Sequence, residues 1–128
     1  MGTADYTHPQ WLAELQDQPG AAEAGLFRLC SALSWLVDEQ LPPVCRRTVH
    51  FALSLEISSI YKTNGRIRKV HNLVLMPSFE AVKRLNRGLG AIRNLAADGR
   101  PILRFDCHDL LDVCLNVSDE VIFIPAHI

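Results

Sequence analysis

Nowhere does this chain approach 18 consecutive apolar residues, which excludes a membrane span built from one apolar helix. Met1 to Trp11 carries neither the cationic flank nor the unbroken apolar stretch of a secretory signal, so a soluble, cytoplasmic protein is expected. Cysteines are few: Cys30, Cys45, Cys107 and Cys114 show no C-x-x-C spacing. That absence argues against a paired metal-ligand motif and for reduced, mostly buried thiols. Aromatic residues make up 7% of the chain, which leaves little for stacking single-stranded bases. Gly88-Leu89-Gly90 lacks the preceding strand and the third glycine of a dinucleotide fingerprint, and no other cofactor motif is present. No cofactor is therefore expected. Linkers, internal repeats and low-complexity tracts are also missing, so 128 residues read as one domain, 1–128, large enough to bury roughly two-thirds of its unfolded surface.

What the chain does have is charge sorted by position. Residues 1–45 hold one basic residue, Arg28, against six acidic ones; residues 46–104 hold twelve Lys and Arg against three acids; residues 105–128 hold five acids and no Lys or Arg. The segment charges of −5, +9 and −5 are hidden in a total of −1. A local field, and not the whole-chain total, selects partners. An anionic macromolecule, nucleic acid or acidic protein, or charge-matched self-association as a homodimer, is the partner this pattern suggests.

Local patterns assign the elements. Thr7, with Pro9 and Gln10 after it, reads as a capping box opening a short helix that Gln18, Pro19 and Gly20 end. From Ala21 to about Gln40, Leu26, Leu29, Leu33 and Leu36 recur at helical spacing, and the added apolar residues Phe27, Cys30, Trp35 and Val37 imply a helix covered on most sides by the core or by a second copy. Val49, Phe51, Leu53, Leu55 and Ile57 alternate with mostly polar residues, the period of a half-buried strand, although a helix from Pro43 also fits. Asn64 and Gly65 suit a two-residue hairpin turn. That turn pairs Thr63 with Arg66, Ser59 with Val70, Leu55 with Val74 and Leu53 with Met76, at the expense of setting Ile57 beside Asn72. Ser78 is an N-cap for a helix from Phe79 to about Ala97, with Gly99 behind it. Gly88 and Gly90 weaken its middle. Ile102–Phe105, the alternating Leu111, Val113, Leu115 and Val117, and Val121–Ile124 read as strands, with Ser118-Asp119-Glu120 as a turn. The nearly continuous apolar run Val121–Pro125 suggests a last strand covered on both faces, or one whose second face meets a partner.

Two clusters could carry function. Cys107, His108 and Asp109, with Asp106 and Cys114 near, are the densest reactive group. On a strand, however, Cys107 and His108 point to opposite faces and cannot form a nucleophile–base pair. Zinc ligation by Cys107, His108, Asp112 and Cys114 matches no standard spacing, so no metal is expected and aspartates capping backbone N–H groups are the simpler reading. His8, His50, His71 and His127 are scattered. The stronger lead is the basic middle: Lys62, Arg66, Arg68 and Lys69 at the hairpin tip, and Lys83, Arg84 and Arg87 on the outer side of the following helix, with Arg46, Arg47, Arg93 and Arg100 as further cations. Tyr61 is the one aromatic residue beside the tip.

The expectation is an α+β domain: a mostly antiparallel sheet of four to five strands with N-terminal helices and one mid-chain helix packed on it, or a mostly α fold if residues 44–62 are helical. For function, it is a small non-enzymatic regulatory or interaction protein that binds an anionic partner through the basic surface. The alternative is a small enzyme or ligand-binding protein using Cys107, His108 and Asp109.

Overall fold

The computed structural model describes residues 1–17, 19–91, 102–104 and 106–126. In chain order the elements are α1 (Pro9–Asp17), β1 (Pro19–Glu23), β2 (Leu26–Leu29), α2 (Ser31–Gln40), a 3-10 turn at Pro43–Cys45, β3 (Leu53–Thr63), β4 (Arg66–Met76), α3 (Phe79–Gly90), β5 (Ile102–Leu103), α4 (Cys107–Val117) and β6 (Ile122–Ala126). The main sheet has four strands in the order β5-β3-β4-β6, and β1 and β2 form a separate two-stranded sheet. Among the described strands β3 and β5 pair in parallel and the other pairings are antiparallel. The architecture is thus the expected α+β one, and the mostly α alternative fails because residues 53–63 are strand.

The β3–β4 hairpin is the frame, and it forms in the register its side chains dictate. Thr63 faces Arg66, Ser59 faces Val70, Leu55 faces Val74 and Leu53 faces Met76. Asn64 and Gly65 turn the chain with φ of 49° and 76°, the left-handed pair that matches strand twist. Asn72, beside Ile57 as expected, is fully buried; its Nδ2 donates to Ser59 Oγ at 2.9 Å, while its Oδ1 has no hydrogen-bond partner among the described residues.

Alternation gives the sheet two unlike faces. Leu53, Leu55, Ile57, Val74 and Met76 enter the core, where Ala81, Val82, Leu85 and Leu89 of α3 and Leu110 and Cys114 of α4 cover them. Each fully buried Leu or Ile there contributes roughly 1.5–3 kcal/mol. Ser78 starts α3 by accepting from the Ala81 N–H at 3.2 Å, the capping geometry its position predicts. The opposite face presents Ser54, Glu56 and Ser58 of β3, His71, Leu73 and Leu75 of β4, and Ile122 and Ile124 of β6.

Several expectations give way. Residues 21–40 do not form one helix: Gly25, at φ 72°, turns the chain into the β1–β2 hairpin. Phe27 then bonds in both directions to the Phe51 backbone, at 2.9 and 2.7 Å, and packs edge-on against Phe79 with ring centres 4.9 Å apart. What remains as α2 has no buried residue, so it is not a central core helix. Thr7 does not cap α1; its hydroxyl and its N–H both go to Asp5 Oδ1, an Asx turn that leaves the helix to begin at Pro9. Residues 107–117 are helical and not a strand: Asp106 accepts from the Asp109 N–H at 2.9 Å as N-cap, and the buried Leu110 and Cys114 lie on one helical side. β6 is an edge strand with Ile122 and Ile124 exposed, not a doubly covered one. The expected continuation of α3 to Ala97, its Gly99 cap, Phe105 and His127 lie outside the described residues.

Candidate nucleic-acid interface

The basic residues assemble in two places. β5 meets β3 at Ser58 and Ser59, and β6 meets β4 from His71 to Leu75. Beyond them, among the described residues, the four ladder pairs from Ile60–Lys69 to Thr63–Arg66 stand as a two-stranded ribbon with no strand on either side. Lys62, Arg66, Arg68 and Lys69 are all exposed on this ribbon. Register puts Lys62 and Lys69 on one face and Arg66 and Arg68 on the other. None of the four forms an ion pair among the described residues. Lys83, Arg84 and Arg87 are exposed too, but at helical spacing they point about 180° away from the Val82, Leu85 and Leu89 stripe that meets the sheet. Arg87 also lies 3.9 Å from Glu80. The seven cations therefore do not make one patch: four define the ribbon, and three lie on the far side of α3. Arg46 and Arg47 are exposed on the connection before β3, while Arg93 and Arg100 lie outside the described residues.

The face that carries Lys62 and Lys69 leads to a second feature, which sequence reasoning missed. His71, two residues beyond Lys69, has Nδ1 2.8 Å from Glu56 Oε1 across the hairpin. Glu56 and His71 are diagonal neighbours on one face, and both are about one-third exposed, at 34% and 31%. A carboxylate that accepts an imidazole N–H fixes the ring's orientation, the arrangement used to ready histidine for proton transfer. Glu56 also lines a cleft of about 510 Å³ with Gly2, Ala4, Asp5, Ser54, Leu55 and Leu73.

The amino-terminal segment shapes that cleft. Thr3 N–H donates to the Ala52 carbonyl at 3.0 Å, Ala52 N–H donates to the Met1 carbonyl at 2.8 Å, and Thr3 Oγ1 accepts from the Ser54 N–H at 3.1 Å. Residues 1–3 are thereby fastened beside the start of β3. Ala4 then adopts φ 61° with its N–H on Ser54 Oγ at 3.1 Å, a left-handed conformation that costs a non-glycine residue about 1–2 kcal/mol. The next residue, Asp5, lines the cleft while its Oδ1 accepts from the Thr7 N–H and hydroxyl. The histidines were thus not all scattered. The hairpin register already put Glu56 and His71 on one face, which was the signal available for finding them.

The other cluster comes apart. Cys107, His108 and Asp109 occupy the first turn of α4, where Cys107 lies near Tyr61, His108 Nδ1 lies 3.4 Å from the exposed Asp112 carboxylate and the Asp109 N–H donates to Asp106 Oδ1. Cys114 is fully buried on the core side. Burial pushes its thiol up to about 12, which makes it a poor thiolate ligand. Among the described residues no three His, Cys, Asp or Glu lie together as a metal site, and no helix is long and apolar enough to cross a membrane.

The chain is similar in fold to part of a solved endonuclease. That structure is the lesion-specific endonuclease PfuEndoQ from Pyrococcus furiosus, with 21% identity and a TM-score of 0.67 over 98% of this chain and 25% of that one. This chain therefore spans a quarter of that enzyme's length. No known family profile and no curated protein matches it. The likeness is one of fold, and it stands against the expectation of a small non-enzymatic regulatory or interaction protein, since the same fold recurs within a solved endonuclease. Cys107, His108 and Asp109 stand in the first turn of α4 and not at a sheet edge, and Asp109 contributes its backbone N–H to the helix cap.

Proposed function

We propose that this chain takes part in nucleic-acid strand processing, with DNA as its partner, and that one face of the β3–β4 hairpin both holds and acts on the phosphodiester backbone. The observation that carries this reading is the shared face: Lys62 and Lys69 lead along one side of the hairpin to the Glu56–His71 pair, with Asp5 in the adjoining cleft. Lys62 and Lys69 neutralise phosphates on that face, and Arg66 and Arg68 add positive charge from the other side of the ribbon. His71, oriented by Glu56, moves a proton during cleavage, since general acid–base chemistry needs an imidazole held at fixed geometry beside the reacting group. The fold likeness to a lesion-specific endonuclease supports the reaction class.

The test separates binding from chemistry. With a fluorescent duplex containing one abasic site, Lys62→Glu with Lys69→Glu loses binding about tenfold or more, whereas Lys83→Glu with Arg84→Glu, equal in charge change, stays near wild type. Glu56→Gln and His71→Ala retain binding and lose strand cleavage by roughly a hundredfold or more. Equal losses from both charge reversals, or undiminished cleavage by both Glu56→Gln and His71→Ala, would refute the assignment.

A further inference from the structure

Ile67 is one of several exposed large apolar side chains, and it is the one that stands among the cations of the ribbon. It lies two residues beyond the hairpin turn, faces Lys62 across the ribbon, is flanked in sequence by Arg66 and Arg68, and is 69% exposed. Among the described residues nothing covers it, so its burial, worth roughly 1.5–3 kcal/mol, is unrealised in the free protein. The nearest apolar neighbour on the same face, Ile60, is half-buried nearer the sheet. The ribbon that bears Ile67 is one strand pair wide, about 5 Å between strands, and extends roughly 13 Å beyond the flanking strands over four residues.

We infer that this ribbon is a DNA-entering arm and that Ile67 is a wedge that opens a base step in a duplex. The inference rests on the proposed role in DNA processing and names the feature of the substrate that this site would select. Two-stranded ribbons fit DNA grooves. Branched apolar side chains at the tips of minor-groove proteins insert between base pairs and unstack them, at a cost of a few kcal/mol per step. Cations around Ile67 match that use, because phosphates border both sides of the groove that the tip would enter. The ligand chemistry is thus a duplex with a weakly stacked step, such as one next to an abasic site or a mismatch, where the unstacking cost is smallest.

The experiment uses the full chain and duplexes carrying 2-aminopurine, whose fluorescence rises on unstacking, next to an abasic site or in intact sequence. Wild type raises the signal at the weak step and binds that duplex about tenfold tighter than the intact one. Ile67→Ala binds intact duplex within about twofold, because its cations remain, and loses both the signal and the preference; Ile67→Leu keeps both. Binding by wild type without a fluorescence rise, or an Ile67→Ala variant that unstacks and discriminates like wild type, overturns the wedge and leaves the DNA-processing reading standing. Failure of wild type to bind either duplex overturns both.

Discussion

Cys114 sits fully buried beneath the sheet, and Tyr6 is buried beside it with its hydroxyl donating to the Val74 carbonyl at 3.4 Å. Burial lifts the Cys114 thiol from 9.0 to about 12, and burial first, then the nearby Cys114 and Asp5, raises Tyr6 well above 10.0. A group whose folded value lies above its unfolded one stabilises the fold fully below the unfolded value, and that contribution is lost as pH climbs towards the folded value. Stability should therefore hold steady to pH 9 and fall between pH 9 and 12, with Tyr6 adding to the loss above pH 10. Melting curves of wild type and Cys114→Ala over this range test it: the variant is less stable at neutral pH but has the shallower alkaline decline. Thiol labelling of the folded protein at neutral pH should modify exposed Cys45 readily and reach Cys114 only on unfolding.

Elements depend on a few residues with local duties. Gly65 turns the long hairpin at φ 76°, where a β-carbon costs about 1–2 kcal/mol. Gly65→Ala should lower the melting temperature by several degrees, and it should weaken DNA binding because the ribbon's cations lose their register. Asp106→Ala and Ser78→Ala each remove a cap worth about 1 kcal/mol, measurable as shifts in the denaturation midpoint with unchanged slope. These elements differ in how plainly they can be read. The β3–β4 register follows from period-two alternation closed by Asn64-Gly65, two signals that agree. In residues 107–117, Leu111, Val113, Leu115 and Val117 alternate like a strand while Leu110, Val113, Cys114 and Val117 repeat like a helix, and only packing of Leu110 and Cys114 beneath the sheet decides between the two. The same ambiguity hides the β1–β2 hairpin, where leucines at helical spacing straddle a strand, a turn and a helix.

At the scale of the whole molecule, the positive middle segment divides between a projecting ribbon and the far side of α3. With four ribbon cations contacting phosphates, the salt slope of duplex binding should be near −3.6, an affinity loss on the order of a hundredfold between 50 and 200 mM salt. A slope near −6 would mean that the α3 cations join the contact, which their position on the opposite side of α3 argues against. The sheet face beyond the core explains the location of the candidate site: α3 and α4 cover one side of the hairpin, and the other side carries Glu56 and His71 at the level where the ribbon leaves the sheet.

By itself the sequence determined the hairpin, its register, the Ser78 cap and the sorting of charge, because each depends on neighbours or on a repeat that one local structure satisfies. Tertiary structure alone decided that residues 107–117 are helical, that Phe27 bridges to Phe51, that the cations separate and that Asp5 approaches the cleft of Glu56. Those outcomes depend on which distant surface supplies burial or a hydrogen bond, and a pattern compatible with two periods contains no record of that choice.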